Sequence, residues 1–232
     1  MALSTFKSLV LLFSISFVLQ TSLLAQADNT YNTAAESDPQ AMKILTQISD
    51  RYKDKTAHKI AFSLEIELPA QGKETKKGSL LQQGDNFVLE MDGRKIISDG
   101  ETVWMYMADL NEVQINDADF EDAGEFTSPS DIFDLHNSGD YVFAVSNQFA
   151  EDGEAITQIE GKPLDEESDY SKMRLTVVDK GLSVKRLKIF SKDGSRFTMN
   201  ILKHNNSWKP ETGTFGFDAS KYEGVHIEDL RF

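Results

Sequence analysis

The residues with the clearest potential for chemistry are the four histidines, because imidazole serves as general base, proton shuttle and metal ligand. His58, His136, His204 and His226 are scattered along the chain of 232 residues. None stands at metal-ligand spacing from another, and none belongs to a nucleophile motif with a serine or carboxylate. The acidic stretch with Asp117, Asp119, Glu121, Asp122 and Glu125 offers oxygens to calcium. It lacks the glycine at position six and the glutamate at position twelve of an EF-hand loop, so it reads as a solvated loop. No glycine-rich phosphate loop opens a helix, and no G-x-S-x-G elbow is present. The expectation is a protein that is not an enzyme and holds no metal or cofactor.

A second class of residue is more suggestive. Phe62 and Leu64, then Phe87, Leu89 and Met91, then Trp104 and Tyr106, and later Phe143, Met173 and Met199 are aromatic or flexible apolar groups on alternating segments. Methionine and aromatic side chains adapt to irregular apolar partners, and that suits a wall touching a hydrophobic guest as well as it suits a core. These ten residues are the candidate lining of an apolar cavity. Met105 and Met107 fall on the other side of the segment that carries Trp104 and Tyr106.

The elements that must position them follow from periodicity and turn chemistry. Asp38 as N-cap and Pro39 at the first helical position start a helix, and Ala41, Leu45, Ile48 and Tyr52 give it one apolar face as far as about residue 55. From His58 the period becomes two: Ile60, Phe62, Leu64, Ile66 and Leu68 alternate with other residues. Further strands are expected at 78–83, 86–91, 94–98, 102–107, 112–115, 141–149, 155–161, 170–178, 183–190 and 196–203. Asp92-Gly93, Asp99-Gly100, Asp152-Gly153 and Asp193-Gly194 supply hairpin turns. The five prolines interrupt none of these strands. Between 116 and 138 the hairpin pattern breaks, and Ser128-Pro129 starts a short helix carrying Ile132, Phe133 and Leu135. The fold class expected is mainly β: an incomplete, half-open antiparallel barrel of about eleven strands, with an N-terminal helix and a short lid helix over the open side.

The chain opens with Lys7, an apolar run from Leu9 to Leu19 and the small-residue site Ala25-Gln26-Ala27. That is the layout of a cleaved secretory signal, and the run is well short of the roughly 20 residues a spanning helix needs. The organisation expected is a signal peptide at 1–27, a flexible leader at 28–37 and a single domain at 38–232, exported to the periplasm as a monomer. The chain contains no cysteine, so neither disulfides nor a lipid-modified cysteine are available. Its formal net charge of −14 argues against nucleic acid and, taken as a whole, against anionic headgroups.

Ser98-Asp99-Gly100-Glu101-Thr102-Val103-Trp104-Met105-Tyr106 is similar to the S-D-G-x-T-x-W-x-Y hairpin of the LolA family of outer-membrane lipoprotein carriers. Asn86 to Met91 resembles that family's strand of alternating apolar residues, and Ser128-Pro129 with Ile132 and Leu135 looks like its lid helix. Phe190 to Ile201 and Phe215 to Arg231 resemble its last strands. The resemblance implies a carrier that shields lipoprotein acyl chains while crossing the periplasm. Its cargo would come from an inner-membrane ABC-type release complex and pass to an outer-membrane acceptor, with only transient contact to membrane proteins. The alternative is a periplasmic carrier of another lipid or hydrophobic ligand. One departure stands out. Well-studied members carry a basic latch residue and a proline before the apolar strand, where this chain has Gln82-Gln83-Gly84. Gln83 is the candidate latch, a weaker hydrogen-bonding partner for a lid than a charged donor.

Overall fold

The computed structural model describes residues 33–53, 56–118 and 134–231. Helix α1 covers Pro39–Lys53, and the strands are β1 (His58–Leu68), β2 (Gly72–Gln83), β3 (Asn86–Met91), β4 (Arg94–Ser98), β5 (Thr102–Met107) and β6 (Glu112–Asp117). After the connection come β7 (Tyr141–Glu151), β8 (Glu154–Pro163), β9 (Tyr170–Val178), β10 (Ser183–Ser191), β11 (Arg196–Asn205) and β12 (His226–Asp229). The segment 1–27, expected to be a signal peptide, and residues 119–133, with Ile132 and Phe133 of the expected lid, lie outside the described residues. Among the described residues no helix is long and apolar enough to cross a membrane.

All twelve strands form one sheet in the order β12-β6-β5-β4-β3-β2-β1-β11-β10-β9-β8-β7. Two sequential meanders, β1 to β6 and β7 to β11, meet where β1 pairs antiparallel with β11. The sheet stays open, with β12 and β7 at its two edges. The hairpins rest on the expected turns: Asp92 and Gly93 have φ of 55° and 75°, and Asp152 and Gly153 have 55° and 81°, the paired positive values of a type I′ turn.

Two elements exceed the expectation. β2 begins at Gly72, because Lys73 to Lys77 pair with Glu67 to Ser63 although their sequence has no apolar alternation. β12 pairs in parallel with β6, His226 opposite Glu112, and every one of its residues is exposed. Such a strand is held by backbone hydrogen bonds rather than by burial and leaves no hydrophobic signature.

Residues directly opposite one another on neighbouring strands share a face. One row runs Val145, Ile159, Leu175, Leu187, Met199, Leu64, and another runs Ile60, Leu80, Leu89, Ile96, Met105. Against this inner face lies α1, whose Ala41, Leu45, Ile48 and Tyr52 are at most 5% exposed. The helix is fastened at its start. The Gln40 amide donates to Asp38 Oδ1 at 2.7 Å, while Asp38 itself donates its N–H to the Phe143 carbonyl at 2.8 Å and accepts from the Val145 amide at 3.3 Å. The leader expected to be loose therefore ends in order: Ala34–Glu36 form a 3-10 turn, and Ser37 Oγ accepts the Phe143 amide. The cause is the free edge of β7, whose amides need acceptors.

Two phenylalanines lie on glycines. Phe62 pairs with Gly78 and Phe143 with Gly161, and each ring occupies the space a side chain on the glycine would take. A Cβ on Gly161 would meet Phe143 Cε1 at 2.5 Å. The end of α1 is closed by three rings. Tyr52 stacks on His204 with centroids 6.1 Å apart, and His58, fully buried, sits 4.9 Å from Tyr52. His58 Nδ1 and His204 Nε2 are 3.0 Å apart, and His58 Nε2 lies 3.3 Å from the Arg51 carbonyl. If His58 Nε2 donates to that carbonyl, its Nδ1 is the acceptor and His204 Nε2 carries the proton.

Gly161→Ala should lower stability by about 1–3 kcal/mol, because the Phe143 ring must leave its seat; thermal denaturation measures it. Burial, then the neighbouring His58 and Arg51, lowers the His204 pKa. The folded state favours neutral His204. Its contribution is present above the unfolded value of about 6.5 and is lost as pH falls through that value and then through the lowered one. The melting temperature should therefore drop between about pH 7 and pH 5, and His204→Gln should flatten that dependence.

Candidate functional site

The inner face is largely apolar from β7 through β11 and β1 to β5, apart from Glu74, Lys76 and Gln82 of β2, while β6 turns Glu112, Gln114 and Asn116 to that side; its apolar part is the place to look for a guest. Of the candidate lining residues, Phe62, Phe87, Phe143 and Met173 belong to the buried cluster that includes the α1 stripe, and Leu64, Leu89, Met91 and Met199 pack against that cluster half-buried. These eight come from β1, β3, β7, β9 and β11, and the β1–β11 junction joins the two halves of the wall.

Trp104 and Tyr106 do not join them. The register pairs Ile96 with Met105, so Met105 continues the row of Leu89, whereas Trp104 pairs with Ile97 and Tyr106 with Lys95 on the opposite face. The expectation that Trp104 and Tyr106 line the cavity is corrected. Both lie on the outer face, where Tyr106 joins a cluster formed as residues 206–225 cross from β11 to β12. Tyr106 lies 4.4 Å from Tyr222 and 5.9 Å from Phe217, measured between ring centroids, and its hydroxyl donates to Asn111 Oδ1 at 3.2 Å. Beside them is a groove of about 250 Å³ lined by Lys95, Ile97, Phe217 and Tyr222. A larger open cleft of about 510 Å³ at the β3–β4 hairpin is lined by Met91, Tyr106 and Tyr222 together with Lys77, Glu90, Asp92, Arg94 and Lys95 among others, a mixed apolar and charged surface.

The latch position shifts as well. Gln82 pairs with Phe87 and shares the inner face, while Gln83 pairs with Asn86 on the opposite side. Gln82 is 1% exposed, and its amide donates to the Gly84 carbonyl at 3.3 Å. Its Oε1 is buried without a hydrogen-bond partner among the described residues. The inward-facing glutamine is therefore 82.

The expected lid is described only at its end. Leu135–Asn137 form a 3-10 turn, and Leu135 is buried in the inner cluster. This turn is fastened to the helix: Ser49 Oγ donates to Asp134 Oδ1 at 3.2 Å, and Thr46 Oγ1 lies 3.3 Å from His136 Nε2. The turn that carries Leu135 is thus tied to α1. The connection that ends here joins β6 to β7, which stand near opposite edges of the sheet.

One small space of about 10 Å³ lies between α1 and the sheet, lined by Leu45, His136, Phe143, Ile159, Gly161 and Met173 among others. The α1 stripe packs on the wall itself, a feature the strand pattern did not reveal. Among the described residues no group of three or more histidines, aspartates or glutamates is placed to hold a metal ion.

The hairpin that carries the sequence resemblance is a turn device. Ser98 Oγ accepts the Gly100 amide at 3.1 Å, Asp99 Oδ1 accepts the amides of Glu101 and Thr102 at 3.0 and 2.8 Å, and Gly100 has φ of 90°. Asp193 repeats part of it, accepting the Ser195 amide at 2.8 Å ahead of β11.

No curated protein sequence matches the chain significantly. Among solved structures, an uncharacterized conserved protein from Thermus thermophilus is 10% identical, with a TM-score of 0.56 over 82% of this chain and 99% of that one, a shared fold. A LolA superfamily protein from Nitrosomonas europaea is 15% identical over 77% of this chain and 98% of its own, with a TM-score of 0.41. The lipoprotein LppX of Mycobacterium tuberculosis is 11% identical over 75% and 100%, with a TM-score of 0.42. Both of these are too distant to argue from. The family model described as outer membrane lipoprotein carrier protein LolA matches residues 67–218, from the first hairpin into the segment that forms the outer cluster, and the chain belongs to that family.

Proposed function

We propose that the protein is a periplasmic carrier that shields the acyl chains of lipoproteins between α1 and the inner face of the sheet. It takes cargo from an inner-membrane ABC-type release complex, delivers it to an outer-membrane acceptor and performs no covalent chemistry. The observation that carries this reading is a continuous apolar wall whose described cover is a helix and one short turn, each fastened by a few hydrogen bonds.

α1 and the turn at Leu135–Asn137 both pack on the apolar cluster, so on this reading they leave the wall together when cargo enters. Each methylene removed from water gains about 0.8 kcal/mol, and several chains would exceed what any reversible complex shows. Displacing α1 offsets part of that gain and keeps the cargo releasable. With a glutamine in place of a basic latch, closure rests on apolar contact and should depend little on salt.

Two measurements test this reading. An environment-sensitive apolar dye should bind the protein and be displaced by a synthetic acylated lipopeptide. Leu89→Glu should weaken dye binding at least tenfold, because a carboxylate would face the guest, whereas Leu202→Glu, at a position 58% exposed, should leave it unchanged. Equal binding by both variants would remove the inner wall from the site. Hydrogen exchange across residues 39–53 and 134–138 should quicken when the lipopeptide binds; unchanged protection would mean that the helix is fixed core.

A further inference from the structure

The net charge of −14 conceals an uneven distribution. The register places ten lysines and arginines of β1, β2 and β8 to β11 on the outer face, opposite α1, against four glutamates, Glu65, Glu67, Glu154 and Glu160. Much of the acid lies elsewhere, in turns at the strand ends such as Asp99, Asp152 and Asp193. In solution at physiological salt a charge is screened within about 8 Å. A surface that approaches this face therefore meets local positive charge, whatever the sum over the chain.

β9 and β10 supply Lys172, Arg174, Arg186 and Lys188. The first two pair with Glu160, whose carboxylate lies 3.0 Å from Lys172 Nζ, and Arg186 pairs with Glu151 at 3.2 Å. Phe190, half-buried on the same face, is ringed by Lys172, Arg174 and Lys188 at 5.2, 5.6 and 5.3 Å from its centroid. Toward the middle of the sheet, Lys59, Lys77 and Lys203 are exposed and make no ion pair with any described residue. Strands lie about 4.8 Å apart, so the ten cations spread over six strands and about 25 Å.

We propose that this outer face docks the protein on a bilayer surface rich in anionic phospholipid headgroups. A fluid array of headgroups can rearrange to match cations scattered over about 25 Å, which a single rigid anion cannot do. Each lysine or arginine near such a surface raises the affinity by about fivefold. The unpaired lysines carry the attraction, and the paired cations around Phe190 contribute an amphipathic patch at interfacial depth. Docking by this face leaves α1 and the inner wall on the far side of the sheet. Headgroup binding is therefore separate from acyl-chain binding.

Co-sedimentation with vesicles tests this directly. The protein should bind vesicles of equal parts phosphatidylcholine and phosphatidylglycerol at about 50 mM salt, lose that binding at about 500 mM, and ignore vesicles of phosphatidylcholine alone. Reversing Lys59, Lys77 and Lys203 to glutamate should weaken binding at least tenfold. Reversing Lys43, Lys180 and Lys209, exposed residues outside this face, changes the net charge equally and should change binding less than twofold. Leu89→Glu should bind vesicles normally, which keeps this result independent of the cavity. No binding by the parent protein, or equal losses in the two triple variants, would overturn the proposal.

Discussion

The fit of the α1 stripe into the open side of the sheet is the interaction on which the rest depends. A twelve-stranded sheet with two free edges cannot bury its inner face against itself, and Leu45, Ile48 and Tyr52 complete that core. Full burial of a large apolar side chain is worth about 1.5–3 kcal/mol, so the three contribute roughly 6 kcal/mol as an upper estimate. At about 0.8 kcal/mol per methylene, some eight buried methylenes would match them. On the proposed reading, a helix held this way exchanges with a fatty acyl chain. A larger or more heavily bonded cover would not.

The fastenings of α1 are polar and sit at its margins. Asp38 ties its start to the edge of β7, Ser49 and Thr46 reach the turn after the connection, and Arg51 donates to the Gly181 carbonyl at 2.6 Å. None of them crosses the apolar wall. The wall is shaped by the two ring-on-glycine pairs, one in each meander, which keep Phe62 and Phe143 close to the sheet and leave height above them for the helix. Burial raises the Tyr52 phenol to about 12, so Tyr52 itself stays neutral over the physiological range.

Much of this was legible in the chain. Alternation located eleven strands, the Asp-Gly pairs located their turns, and Asp38-Pro39 located the start of the helix, because each rests on local chemistry. β12 and the first half of β2 escaped because they are held by backbone pairing on exposed, polar sequence. The misplacement of Trp104 and Tyr106 has a different origin. Alternation shows that neighbours in a strand take opposite faces and does not say which face is inner. Counting through the turns would have told: Leu89 faces Ile96 across the two-residue Asp92-Gly93 loop, and Ile96 faces Met105. The outer aromatic cluster needed residues 206–225, far along the chain, to make an apolar outer position favourable. That the helix packs on the inner face is a matter of tertiary contact, on which periodicity is silent.

Photo-crosslinking with a lipopeptide whose acyl chain carries a diazirine tests the central claim most directly, since the adducts report which side chains touch the guest. The account predicts adducts on Leu64, Leu89 and Met199 and on the α1 stripe, from both meanders of the same inner face. Adducts confined to the outer residues Trp104, Tyr106 and Tyr222, with the inner face unlabelled, would contradict it.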